Sequence, residues 1–242
     1  HRDLHSFPTR RSSDLMTIKD FFNYYVAGFL WLCNIGLICL PINDRSKLIS
    51  ELEQLQKITD KVTPLVMGII LLIFPYIIGF ILTPLNTLVT KLLRRIFGDP
   101  KNWVVNYQTK FKWPQSSHEG KRLSHTNIRL VVKRLKKIYG EEKELNETNI
   151  ANWFFQIRAI VINQKGEAGA LAIRAQDLAN FTESILLPVP LTLWILFSKY
   201  IVIKPEFAWI CLGIGLLFFV ILSYRYLHLR TYWIKHTYRA FL

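Results

Sequence analysis

Cysteine is scarce in this sequence: three residues, Cys33, Cys39 and Cys211, each inside a long apolar run. Their spacing fits neither a disulfide framework nor a zinc site, which leaves packing as their role. Catalytic signatures are missing too. There is no nucleophile-elbow serine, no His-Glu-x-x-His, no Walker loop and no dinucleotide glycine pattern. Acidic residues are outnumbered, 17 Asp and Glu against 31 Lys and Arg, for a formal charge of +14. No ionisable residue stands at the centre of an apolar run, which speaks against ion- or proton-coupled transport. Internal repeats are absent. These gaps leave no candidate catalytic residue in a known motif, no metal ligand set and no cofactor.

Residues 1–15, HRDLHSFPTRRSSDL, resemble the in-frame translation of a common short-read sequencing adapter, residue by residue. The adapter's trailing CT fixes Leu15, because every CTN codon is leucine. The segment is therefore set aside as non-native, and His1 and His5 with it. Met16 is expected either as the start or as the first residue after lost coding sequence.

The whole chain is half hydrophobic, 51% of residues, in spite of its charge. The two properties coexist because they occupy different stretches. Four apolar runs reach the roughly 20 residues that a membrane-crossing helix needs: Phe21–Leu40, Val62–Leu82, Ile185–Ile203 and Phe207–Tyr224. Buried helices of soluble proteins are usually shorter and broken by charge. These runs contain only Lys199, near enough to an end to snorkel. Tyr24, Tyr25, Tyr200, Trp209 and Tyr224 lie near the ends, as interfacial aromatics do. Thr63 and Pro64 read as a cap and first helical residue for the second run.

Between the first two runs, Leu48, Leu52, Leu55 and Ile58 recur at helical spacing, with Ser46 or Asp44 placed to cap. Lys204-Pro205-Glu206 forces a tight hairpin between the last two. Basic residues gather after the second run (Lys91, Arg94, Arg95) and after the fourth (Arg225, Arg230, Lys235, Arg239). By the positive-inside rule both termini and the middle segment are cytoplasmic. That segment, from Lys91 to Glu183, carries seventeen Lys and Arg against nine Asp and Glu, a net +8. Its reading is an amphipathic extension up to Gly98-Asp99-Pro100, with Leu85, Leu88, Val89, Leu92, Leu93 and Ile96 on one side and Lys91, Arg94 and Arg95 exposed. A loop or short extended stretch, rich in Trp and Tyr, follows over Asn102–Pro114. Helices are expected over about Leu123–Tyr139, capped by Ser124 and stopped by Gly140, and over about Thr148–Ile162. A third starts near Ala168 and runs into the third apolar run.

The sequence thus predicts an all-α polytopic membrane protein. Four transmembrane helices would carry a small basic helical cytoplasmic insertion between helices 2 and 3. The expected organisation is a non-native tail over 1–15, a first transmembrane hairpin with an amphipathic outer loop over 16–97, and a basic helical segment over 98–183. A second hairpin would cover 184–224 and a basic aromatic tail 225–242.

Candidate functional positions are few. Asn34 is the conspicuous polar residue of the first run, for which an interhelical hydrogen bond is the plain account. Pro75 breaks the second run and Pro188 and Pro190 disturb entry to the third, as kinks or as hinges. Gly213 and Gly215 suit close helix packing. His118, His125 and Glu119 are the one set that an enzyme acting on lipid or phosphate substrates could use, and they lack metal-ligand spacing. His228 and His236, eight residues apart, sit among Arg225, Lys235 and Arg239 and fit a phosphate-facing surface. Lys133-Arg134-Leu135-Lys136-Lys137 could meet nucleic acid. Attraction to anionic lipid head groups is the plainer account, for these residues and for Lys91, Arg94, Arg95, Arg225, Arg230, Lys235 and Arg239. The segment 224–242, where aromatics alternate with basic residues, reads as an interfacial helix.

The opening Phe21-x-x-Tyr24-Tyr25-Val26-x-Gly28, and Arg174, Asp177, Phe181 and Ser184 before the third run, resemble uncharacterised bacterial four-helix integral membrane proteins. That resemblance implies the bacterial inner membrane and, for some such proteins, a membrane effector role in phage defence. It carries no active residue. The expected function is a non-enzymatic sensing or interaction module, or a membrane-perturbing effector. Expected partners are the anionic bilayer, a cytoplasmic protein and a second copy of the chain, with nucleic acid disfavoured.

Overall fold

A computed structural model describes residues 18–39, 45–105, 123–140, 145–147, 149–163, 167–196, 198 and 208–242. Every regular element among them is helical: α1 (Ile18–Cys39), α2 (Arg45–Lys61), α3 (Pro64–Phe97), α4 (Pro100–Val105), α5 (His125–Tyr139), a 3₁₀ turn (Ile150–Trp153), α6 (Phe154–Asn163), α7 (Glu167–Ile185), α8 (Pro188–Leu196) and α9 (Ala208–Phe241). Four segments are long and apolar enough to cross a membrane: Phe21–Cys39, Pro64–Phe97, Glu167–Leu196 and Leu212–Phe241. The all-α expectation holds and four candidate spans are present, though the third and fourth cover Glu167–Leu196 and Leu212–Phe241 where Ile185–Ile203 and Phe207–Tyr224 were expected. Residues 1–15, Asp44, His118, Glu119, Lys199 and the Lys204–Glu206 hairpin lie outside the described residues.

The chain divides into two compact units, His1–Leu82 and Thr83–Leu242. In the first, α1 and the opening part of α3 pack antiparallel. Gly28 lies against the Pro75 carbonyl and the Gly79 amide, and Gly79 against the Tyr24 carbonyl. A methyl group at either glycine would collide with backbone, so only glycine permits this approach. Phe21 stacks on Tyr76 (5.2 Å) and Tyr24 meets Phe80 edge-on (5.7 Å) beside the crossing. Thr63 stands just before Pro64, and its carbonyl accepts from the Met67 amide (3.0 Å). α3 is one continuous helix through Pro75 and Pro84.

The second unit is built around the far half of α9. Trp233, Ile234, Tyr238 and Phe241 are buried with Ile128, Val131 and Leu135 of α5, and with Phe154, Ile157 and Val161 of α6. Phe154 meets Trp233 edge-on at 5.0 Å, and the Tyr238 hydroxyl donates to the Ile150 carbonyl (3.2 Å). The segment 225–242, expected as an interfacial tail, is thus the second half of one 34-residue helix and supplies the centre of a core.

Local signals explain most boundaries. Gly98 turns the chain after α3 with φ 89°, and the Asp99 carboxylate accepts from the Lys101 amide (2.9 Å) ahead of α4. An Asp cap followed by Pro100 at the first helical position starts a helix, which is why 102–105 is helical where a loop was expected. Ser124 caps α5, its hydroxyl accepting from the Asn127 amide (3.2 Å), and Gly140 ends it with φ 87°. α7 stops at Ile185 because the residue before a proline avoids helical backbone, and α8 restarts at Pro188.

Candidate functional site

Two features of the second unit concentrate polar chemistry. The first is a buried polar layer among α3, α7 and α9. Asn86 Nδ2 donates to the Ser184 carbonyl (2.8 Å), and one turn on Thr90 Oγ1 donates to Glu183 Oε1 (3.0 Å). A further turn on, Arg94 Nη2 donates to the Tyr226 hydroxyl (3.1 Å). Arg230 completes the layer, donating to Asn180 Oδ1 (3.3 Å) and lying over the Trp233 ring at 4.4 Å.

Asn86, Thr90 and Arg94 recur every four residues, so one stripe of α3 turns inward. The opposite side carries exposed Leu88 (60%) and Leu92 (56%), joined toward the end of the helix by exposed Lys91 and Arg95, while Asn86 and Thr90 are 1% and 0% exposed. A water-soluble helix would be oriented the other way round. The sequence reading had placed Arg94 on the exposed side. It turns inward because a polar stripe in an apolar setting must be satisfied by neighbouring helices.

The second feature is the outer face of α5. The helix buries Ile128, Val131 and Leu135, which turns its cations outward. Arg129, Lys133, Arg134, Lys136 and Lys137 line an open groove of about 960 Å³ together with Leu130, Val132, Glu147 and Leu242. At one end Arg129 Nε donates to Glu147 Oε1 (3.0 Å). At the other Arg134 Nη1 donates to the backbone oxygen of Leu242 (2.7 Å) while its guanidinium lies over Phe241.

The sequence-selected residues separate into distinct groups. Lys91, Arg95, Arg225 and Arg239 are exposed. Arg94 and Arg230 belong to the polar layer, and Lys235 is buried on α9. Asn34 and Pro75 are buried in the first unit. Pro188 and Pro190 are buried on α8, where Pro190 and Trp194 face Gly215: a methyl group there would stand 3.2 Å from Trp194 Cβ and 3.5 Å from the Pro190 carbonyl oxygen. Gly213, by contrast, has nothing within 4 Å. His125 is exposed, its Nδ1 3.8 Å from Glu147 Oε2. Among the described residues no group of three or more His, Cys, Asp or Glu could hold a metal.

Sequence reasoning missed Gly79, Glu183 and the inward stripe of α3. The four-residue recurrence of Asn86, Thr90 and Arg94 was available as a signal. No protein-family model, curated protein or solved structure matches the chain.

Proposed function

We propose that the chain is a non-enzymatic, multi-pass protein of the bacterial inner membrane. Both termini are cytoplasmic, and the Thr83–Leu242 unit engages a cytoplasmic partner. The observation that carries the membrane part is the inverted amphipathicity of α3, with leucines out and Asn86, Thr90 and Arg94 in. Water rewards the opposite arrangement, and hydrocarbon rewards this one. Exposed Lys91, Arg95 and Arg225 lie at the margin of the apolar surface, where anionic head groups attract basic side chains. The interaction part rests on the compact helical core around α9 and on the basic face of α5, neither of which membrane insertion alone requires.

The test is expression of 16–242 in a bacterium, followed by alkaline extraction and labelling with an impermeant maleimide. Cysteines are placed at the exposed positions Gln54 and Asn163. The protein should stay with the membrane, with Gln54→Cys labelled in intact cells and Asn163→Cys only after permeabilisation. Release by alkali, or the reverse labelling pattern, would overturn the reading. Membrane potential followed during induction separates the two forms of the proposal. Depolarisation by the intact chain assigns a membrane-perturbing effector, and steady potential at confirmed expression assigns a partner-binding module.

A further inference from the structure

We propose that the groove between α5 and the end of α9 binds an acidic amphipathic segment of a soluble cytoplasmic protein. The proposal deepens the reading above and rests on it for one step, the placement of 225–242 on the cytoplasmic side.

The groove's chemistry is mixed. Arg129, Lys133 and Lys137 recur every four residues, so they form a ladder of cations about 6 Å apart along the helix. Leu130, 49% exposed, lies beside that ladder and lines the groove with Val132 and with Leu242, 41% exposed. The groove already accepts one carboxylate of its own chain, Glu147 on Arg129 at 3.0 Å. A ladder of cations alongside exposed leucines complements a helix or strand with acidic residues on one side and apolar residues on the other.

Distance argues against lipid as the occupant. Leu242 lies twelve residues beyond Arg230, the last member of the polar layer on α9. At about 1.5 Å per residue an uninterrupted helix carries it about 18 Å beyond that layer. Screening at physiological salt acts over about 8 Å, so head groups exert little pull there. Single-stranded nucleic acid fits poorly as well, since it is held by cations together with exposed stacking aromatics. Tyr139 is paired with Trp153 (5.3 Å), and Phe241 is buried beneath Arg134. Nothing in a phosphate backbone would use Leu130 or Leu242.

The test uses the full chain in uncharged nanodiscs, with fluorescence anisotropy as readout. The probes are a synthetic peptide with a glutamate face and a leucine face, its scrambled counterpart, oligothymidylate, and vesicles containing phosphatidylglycerol. The amphipathic peptide should bind most tightly. Lys133→Glu with Lys137→Glu should weaken it about tenfold, as expected for two exposed charge pairs. Leu130→Ser with Leu242→Ser should weaken it several-fold without changing its salt dependence.

All four positions are exposed, and circular dichroism checks that each variant is folded. Tighter binding of oligothymidylate or of vesicles, equal binding of the scrambled peptide, or no peptide binding by the folded chain would overturn the proposal. Reversed maleimide labelling with intact peptide binding would remove the membrane orientation and leave the groove's chemistry standing. Correct labelling with no peptide binding would do the opposite.

Discussion

At Gly28 and Gly79 a single hydrogen atom decides whether two helices can touch. Backbone atoms fill the space that a methyl group would need at either position. Gly28→Ala and Gly79→Ala should each destabilise the first unit by about 1–3 kcal/mol, the usual range for overpacking. Gly213→Ala meets open space and should be neutral or stabilising by up to about 1 kcal/mol, because alanine is the better helix former. Thermal melts of the three variants in one detergent make the comparison. Asn86 offers a second residue-scale test. Asn86→Ala removes its bond to Ser184 and should cost about 0.6–1.7 kcal/mol, the range measured for hydrogen bonds between membrane helices. A neutral result would show that the polar layer contributes nothing to stability.

Helix ends follow local chemistry, and they were the most legible part of the sequence. Ser124 and Gly140 bracket α5 as their capping preferences dictate, and Ser124→Ala should cost about 1 kcal/mol. Faster amide exchange in the first turn of α5 is the expected reading. Pro188 and Pro190 were legible as a disturbance at the start of the third run, whereas the break between α7 and α8 departs from the continuous helix expected there. α4 was less legible, because the aromatic, polar stretch after Asn102 reads as a loop or extended segment and the Asp99–Pro100 start outweighs it. Burial was less legible than boundaries. The alternation of aromatic and basic residues over 224–242 is the pattern of an interfacial helix, and it is equally the pattern of a helix enclosed by others. Trp233, Tyr238 and Phe241 go inside because α5 and α6 cover them, and Tyr226 because Leu93 of α3 and Trp103 of α4 do, and that information sits in other segments. The same holds for the inward stripe of α3. Its periodicity could be read from the sequence, but its direction depends on whether water or hydrocarbon lies outside.

For the whole molecule, the sequence showed four apolar runs and basic segments between and after them. It did not show that the last eighteen residues organise the second unit. Ending the chain at Tyr224 should therefore do more than remove positive charge. The α5–α6 region should lose cooperative unfolding and become sensitive to protease, while the fraction recovered in membranes stays unchanged. Preserved protease resistance would mean that the unit folds without the second half of α9. The length of α9 has a mechanical consequence. It runs from Ala208 to Phe241, and beyond Gly215 it contains neither glycine nor proline. Sharp bends in helices almost always need one of these residues or an inserted group. The helix therefore behaves as a drive shaft of about 50 Å. A twist applied at the Trp233–Phe241 end reaches Leu216 and Phe218 as the same twist, with no joint along the way to absorb it.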